Sequence, residues 1–188
     1  MKLLIIDNYD SFTFNLVQLV EQNGVADYLL VKNDHLHQLS ENDFDKVLIS
    51  PGPGIASEAG ELIDFLLKYF QNKSILGICL GYEAIAEMFG GKLRQLQHPM
   101  HGLRNKGQLL CSDPIFKGLP QQFFIGHYHS WIIPEAEMPP VLKITMKDEN
   151  GLPMAFRHQK YDLAGLQFHP ESVMTEFGHE LIRNWLSS

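Results

Sequence analysis

Residues 74–89 read Ser-Ile-Leu-Gly-Ile-Cys-Leu-Gly-Tyr-Glu-Ala-Ile-Ala-Glu-Met-Phe, an apolar run that passes into a helical pattern at Cys79, with Gly77 and Gly81 two positions to either side. A sharp strand-to-helix turn at that point throws the cysteine side chain clear of the sheet. The flanking glycines relieve crowding, and the first N–H groups of the new helix stay free for an anion. The segment therefore calls for an α/β chain in which a covered strand feeds directly into a helix, and it makes Cys79 a candidate nucleophile.

The rest of the front half agrees with that demand. Apolar runs recur at 3–6, 28–31, 47–49 and 75–78, the first and last without polar alternation, as in parallel strands covered on both faces. Between them, 12–21 follows Ser11 as a candidate N-cap, and 59–69 carries Leu62, Ile63, Leu66 and Leu67 at helical spacing. After Gly90-Gly91 the pattern shortens to segments at 108–111, 123–125, 141–146 and 154–158, separated by turn residues that predict hairpins, and 176–186 predicts a closing helix. The expectation is an open, mostly parallel twisted sheet with helices on both faces and a mixed or antiparallel extension. At 188 residues this fits one domain, 1–188, on a prior of about 100–200 residues each. Two small lobes parting near Gly91 are the alternative.

Composition narrows the partners. There are 22 acidic against 15 basic residues, for a formal charge of −7, and no Lys/Arg cluster offers a footprint for a phosphate backbone, so nucleic acid is not expected. The apolar stretch at 3–6 turns polar at Asp7, too short for a signal segment or a membrane span, which predicts a cytoplasmic protein and no membrane association. In that setting Cys79 and Cys111 read as free thiols, Cys111 as a structural one.

A thiol with a pKa near about 8.5 needs a base to become a nucleophile at neutral pH. Of nine histidines, His169 stands out because Pro170 biases it toward extended backbone, in which Glu171, two positions on, projects to the same side. Cys79, His169 and Glu171 then make a nucleophile, a base and an orienting carboxylate, the roles of acyl transfer. Ser50-Pro51-Gly52-Pro53-Gly54 is a stiff loop whose Gly52 and Gly54 amides, with that of Leu80, offer donors to an oxyanion; losing one such donor costs ~2.7–4 kcal/mol in barrier. Taken singly, each element has a plainer meaning: a core cysteine, a turn, a surface loop. His127 and His129 form a two-residue pair that lacks a third ligand at recognisable spacing, so with His101 they are expected to shape a pocket or a partner interface rather than hold a metal.

The ordered motifs Asp7-Asn8-Tyr9-Asp10-Ser11-Phe12-Thr13-Phe14-Asn15, Ser50-Pro51-Gly52-Pro53-Gly54 with Ala59-Gly60, Gly77-Ile78-Cys79-Leu80-Gly81, Met100-His101-Gly102, Tyr128-His129-Ser130 and Phe168-His169-Pro170-Glu171-Ser172 span nearly the whole chain. Their set resembles the class I (triad) glutamine amidotransferases, specifically the amidotransferase subunits of anthranilate and aminodeoxychorismate synthases. The resemblance implies a flavodoxin-like core and a Cys79, His169 and Glu171 triad that releases ammonia from L-glutamine through a γ-glutamyl thioester. It also implies a glutamine site of Gly52, Pro53, Gly54, Leu80, Glu83, Ser130 and Trp131. Ammonia would pass to a chorismate-using synthase subunit, with no cofactor or metal in this chain.

The chain departs from that family's pattern close to the nucleophile. Gly81-Tyr82-Glu83 stands where the family has Gly-His-Gln, Leu103 replaces a lysine after Met100-His101-Gly102, and Trp131 replaces a leucine. An ionised Glu83 accepts hydrogen bonds but donates none, so it is expected to weaken glutamine binding, whereas a protonated Glu83 could donate at the cost of a raised pKa. Two other readings stay open: a non-catalytic docking or regulatory subunit, and a stand-alone cysteine hydrolase on the same scaffold.

Overall fold

The computed structural model describes residues 2–188. Nine strands form one sheet: β1 (Leu3–Asp7), β2 (Tyr28–Lys32), β3 (Lys46–Ile49), β4 (Ser74–Ile78), β5 (Arg94–Leu109), β6 (Gln122–Ile132), β7 (Leu142–Asp148), β8 (Pro153–His158) and β9 (Leu163–Leu166). Their order is β2-β1-β3-β4-β9-β8-β7-β5-β6, so strands from before and after Gly91 join in a continuous sheet. The pairs from β2 through β9 are parallel and those from β9 to β6 antiparallel.

Two-sided burial explains the unbroken apolar runs. Leu3 and Ile5 face one way with Leu48, Leu76 and Ile78, and are covered by α1 (Thr13–Gln22) and α4 (Gly178–Leu186) through Leu16, Val20, Leu181 and Trp185. Leu4 and Ile6 face the other way with Val47, Ile49 and Ile75, beneath α2 (Leu62–Tyr69) and α3 (Leu80–Met88). Each face thus has its own apolar cluster, the layered solution a parallel sheet requires.

Several sequence expectations shift. α1 begins after Phe12, and Asp10 rather than Ser11 holds its start, accepting from the Phe12 amide at 2.7 Å. The helix expected from residue 59 begins at Leu62, because a 3₁₀ turn at Ala56–Glu58 occupies the preceding stretch. The closing helix starts at Gly178, where Pro170 leaves no room for a Cβ. Of the segment expected at 108–111 only the first two residues are strand, the tail of a 16-residue β5 that ends at Leu109, and the one at 123–125 lies inside β6. β9 has no counterpart among the sequence expectations.

Gly77 and Gly81 are where β4 and α3 touch. A Cβ on Gly77 would lie 2.4 Å from the carbonyl carbon and oxygen of Gly81, and one on Gly81 would lie 2.9 Å from the Ile49 side chain. Backbone cannot swing aside as a flexible side chain can, so Gly77→Ala should lower the unfolding free energy by about 1–3 kcal/mol. Urea denaturation would show it as a reduced midpoint at unchanged slope, and an unaltered midpoint would refute the close approach.

Candidate active site

Four neighbouring parallel strands, β1, β3, β4 and β9, end on the same side, and their following loops meet there. Cys79 follows β4 at φ 51° and ψ −101°, a conformation L-residues rarely adopt and one expected of a nucleophile elbow. Two backbone hydrogen bonds hold it there: its amide donates to Leu166 O at 2.8 Å, and its carbonyl accepts from Glu83 N at 3.0 Å. The register Ile78↔Leu166 then sets Gln167 beside Cys79 and starts the loop that carries His169.

His169 and Glu171 are both buried, and His169 Nδ1 lies 2.6 Å from Glu171 Oε1. Phe12 and Tyr128 present their rings edge-on to the imidazole at 5.7 and 5.0 Å. The loop is pinned by His169 N to Gly126 O and by Thr175 Oγ1 to His169 O. His169 Nε2 has no hydrogen-bond partner among the described residues, and the thiol's hydrogen bond comes instead from Gln167 Nε2, at 3.8 Å. The histidine–carboxylate pair is therefore assembled, with the outer ring nitrogen left free to accept a proton.

A small cleft of about 120 Å³ opens beside Cys79, lined by Gly52, Pro53, Gly54, Glu83, His101, Tyr128, His129, Ser130 and Trp131. Asn8 clamps the proline-glycine loop, its amide donating to Ser50 Oγ at 2.9 Å and its side chain to Ser50 O at 2.8 Å. Gly52 is wedged so closely that a Cβ would lie 2.5 Å from Leu80 Cδ2 and 2.6 Å from Asn8 Cβ. Leu80 itself packs beneath the loop, buried. Opposite, β6 supplies Tyr128 to Trp131, and Ser130 Oγ meets His101 Nε2 at 3.0 Å. The sequence singled out most of this set; it gave no hint of Asn8 as a clamp or of Gln167, whose roles arise only from strand pairing.

Burial, then Glu83, Glu171 and Asp10, raises the Cys79 thiol well above its usual value, while the Leu80 amide opposes this weakly. Cys79 is thus held as a thiol, and a nucleophilic role would require a base to remove its proton. Glu83 is 3% exposed, and burial pushes its carboxyl up to about 8 against the opposing hydrogen bond from Gln167 Nε2 at 3.0 Å. Near neutral pH it is mainly protonated, the one form of a carboxyl that can donate as an amide does. Tyr82 does not face the cleft; it is fully buried against Phe156, with ring centroids 4.6 Å apart. Leu103 is half-exposed on β5. No group of three or more His, Cys, Asp or Glu that could hold a metal exists among the described residues, and both cysteines are free.

The arrangement sets a buried thiol at a strand-to-helix elbow, a histidine–carboxylate pair on the loop after the neighbouring strand, and a small cleft at the carboxyl edge of an α/β sheet. A family model for class I glutamine amidotransferases matches residues 4–188, and the chain belongs to that family of enzymes. Anthranilate synthase component 2 of Lactococcus lactis is 42% identical over 188 residues, covering 98% of this chain and 93% of the relative. Aminodeoxychorismate synthase component 2 of Escherichia coli is 40% identical over 187 residues, covering 98% of each. A solved Thermoplasma acidophilum structure, provisionally named as part of a GMP synthase, superposes with a TM-score of 0.87 at 26% identity, covering 100% of this chain and 92% of its own. No helix among the described residues is long and apolar enough to cross a membrane.

The Glu83 carboxyl has a stability signature. Folded, it keeps its proton up to about pH 8, whereas an unperturbed carboxyl loses it near 4.5. The folded state therefore binds the extra proton between those values, and the associated stability, full below 4.5, falls as pH rises and is gone above about 8. Measured against Glu83→Gln, wild-type stability should decline across that window, with a slope of at most about 1.4 kcal/mol per pH unit. A difference that stays flat with pH would show that the carboxyl ionises freely.

Proposed function

We propose that residues 1–188 act as one amidotransferase unit that hydrolyses L-glutamine and delivers ammonia to a chorismate-using synthase subunit, for anthranilate or 4-amino-4-deoxychorismate formation. Cys79 Sγ attacks the side-chain amide carbon while His169 Nε2 takes the thiol proton. The Gly52 and Leu80 amides receive the oxyanion. His169 returns its proton to the departing nitrogen, ammonia leaves, and water activated by the same ring resolves the γ-glutamyl thioester to glutamate. Glu171 holds the ring in the tautomer with Nε2 free and stabilises its charged form.

The observation that carries this reading is the free Nε2 of a carboxylate-bound His169, on the loop that β4–β9 pairing brings to the Cys79 elbow. The chemistry of the donated ammonia rests on the relatives, each of which is by name one component of a synthase making an aminated aromatic or an aminodeoxychorismate. Ammonia release from glutamine, with and without a chorismate-using synthase, tests it directly. Cys79→Ser should abolish release and block labelling by an electrophilic glutamine analogue; persistence of both would refute the mechanism.

Glu83, Ser130 and Trp131 would hold the glutamine. Because Glu83 is mainly protonated at neutral pH, Glu83→Gln should leave glutamine KM nearly unchanged below pH 7 and lower it relative to wild type above about 8, where the carboxyl ionises. A KM ratio independent of pH would remove Glu83 from the substrate site.

A further inference from the structure

A second buried polar system runs through the antiparallel half of the sheet. His129 Nδ1 lies 2.9 Å from Trp131 O, and His129 Nε2 lies 3.1 Å from His127 Nδ1. His127 Nε2 lies 2.5 Å from Asn105 Oδ1, and Asn105 Nδ2 donates to Asp148 Oδ2 at 3.0 Å. His127, His129, Asn105 and Asp148 are all buried. The chain has four links and ends at both extremes on a group that only accepts: a backbone carbonyl and a carboxylate.

Counting hydrogens decides the protonation of the rings. The Asp148 carboxylate requires the Asn105 nitrogen to face it, which turns the Asn105 oxygen toward His127 and requires a hydrogen on His127 Nε2. Trp131 O requires a hydrogen on His129 Nδ1. The link between the rings requires a third, yet two neutral imidazoles carry only two. Asp148 has no place for the missing proton. Its Oδ1 accepts from the amides of Asn150 and Leu152 at 3.0 and 2.8 Å, and its Oδ2 from Asn105 and from Asn150 Nδ2 at 3.3 Å.

We infer that His127 and His129 together hold one imidazolium charge, balanced by Asp148 through Asn105, and that this charge fixes the Ser130 and Trp131 wall of the substrate cleft as a positioning device. Burial opposes it, drawing His127 down to about 4 and His129 to about 3, with Asp148 pulling upward and a charged His169 downward on both. Cys79, Glu83, His101 and Tyr128 share the cleft with His129 and are the other titratable groups lining it. Against burial stands closure of the chain. With two neutral rings, lone pairs would confront each other across one link and that link would open, whereas every link is within hydrogen-bonding distance. The inference needs only the fold; its kinetic consequence alone rests on the glutaminase reading.

Long-range proton–nitrogen NMR of the full chain labelled with ¹⁵N-histidine tests it without any turnover. One ring of the pair should carry hydrogens on both nitrogens at neutral pH. In Asp148→Asn the amide can donate to Asn105 Oδ1 and reverse the chain's polarity, so that the rings need supply only two of the four hydrogens and both turn neutral. The new side chain keeps an oxygen for the Asn150 and Leu152 amides, so the hairpin is preserved. As the wild-type pair loses its proton, glutamine KM should rise about tenfold, the effect of one hydrogen bond to a charged group, while the Asp148→Asn profile stays flat there. Two neutral rings in the wild type throughout about pH 5–8 would overturn the inference. So would a doubly protonated ring that survives Asp148→Asn. Absent glutaminase activity with the expected ring signals would instead count only against the proposed function.

Discussion

The contact on which the rest depends is the one between the backbones of β4 and α3. A strand that turns into a helix within one residue forces that residue into a positive φ, and for a non-glycine this costs roughly 1–3 kcal/mol. Cys79 is held there because its neighbours leave no alternative: Gly77 and Gly81 meet with no space for a Cβ, and the Cys79 amide is committed to Leu166. The same hydrogen bond fixes the β9 register, and β9 leads into Gln167, Phe168 and His169. Strain at Cys79 and the placement of His169 are thus set by one piece of backbone geometry. Rigid packing on both faces of β4, where Leu76, Ile78 and Ile75 are fully buried, offsets the cost.

Around that elbow the side chains are buried, and burial sets their electrostatics. The thiol and Glu83 are both desolvated and both pushed toward their neutral forms. Glu171 is also buried, and its carboxyl has a hydrogen-bond partner in the His169 ring. The Cys79 and Glu83 side chains are therefore held mainly in their uncharged forms near neutral pH. A resting thiolate beside two carboxyl groups would be costly, and the arrangement avoids it.

The sequence disclosed those parts whose reason is local. Strands β1, β3 and β4 are covered on both faces and so are written as continuous apolar runs, and the glycine-flanked cysteine and the His-Pro-Glu turn carry their geometry in consecutive residues. β5 does not, because most of Arg94–Leu109 faces solvent and shows no apolar alternation. β9 is four residues with a glycine at its centre, which in isolation resembles a turn. Gln167, Asn8 and the Asn105 to Asp148 connection act only through partners tens of residues away. No periodicity records such pairings; they exist once the sheet has a register.

The two departures beside the nucleophile have different physical meanings, although they are adjacent in sequence. On α3, Tyr82 points into the core, where its ring lies on Phe156 and over Gly165, which has no space for a Cβ beneath it. A large ring at 82 and a bare backbone at 165 are complementary shapes, so that change belongs to packing. Glu83 points into the cleft, where burial keeps its carboxyl mostly neutral near pH 7 and Gln167 donates to it. A neutral carboxyl supplies both an acceptor and a donor, so the hydrogen-bonding capacity of an amide is retained there without an amide. The expectation that an acid at 83 weakens glutamine binding holds only where the acid is ionised. The desolvated cleft prevents that near neutral pH, and the burial that raises the thiol's pKa also makes the acid compatible with the site.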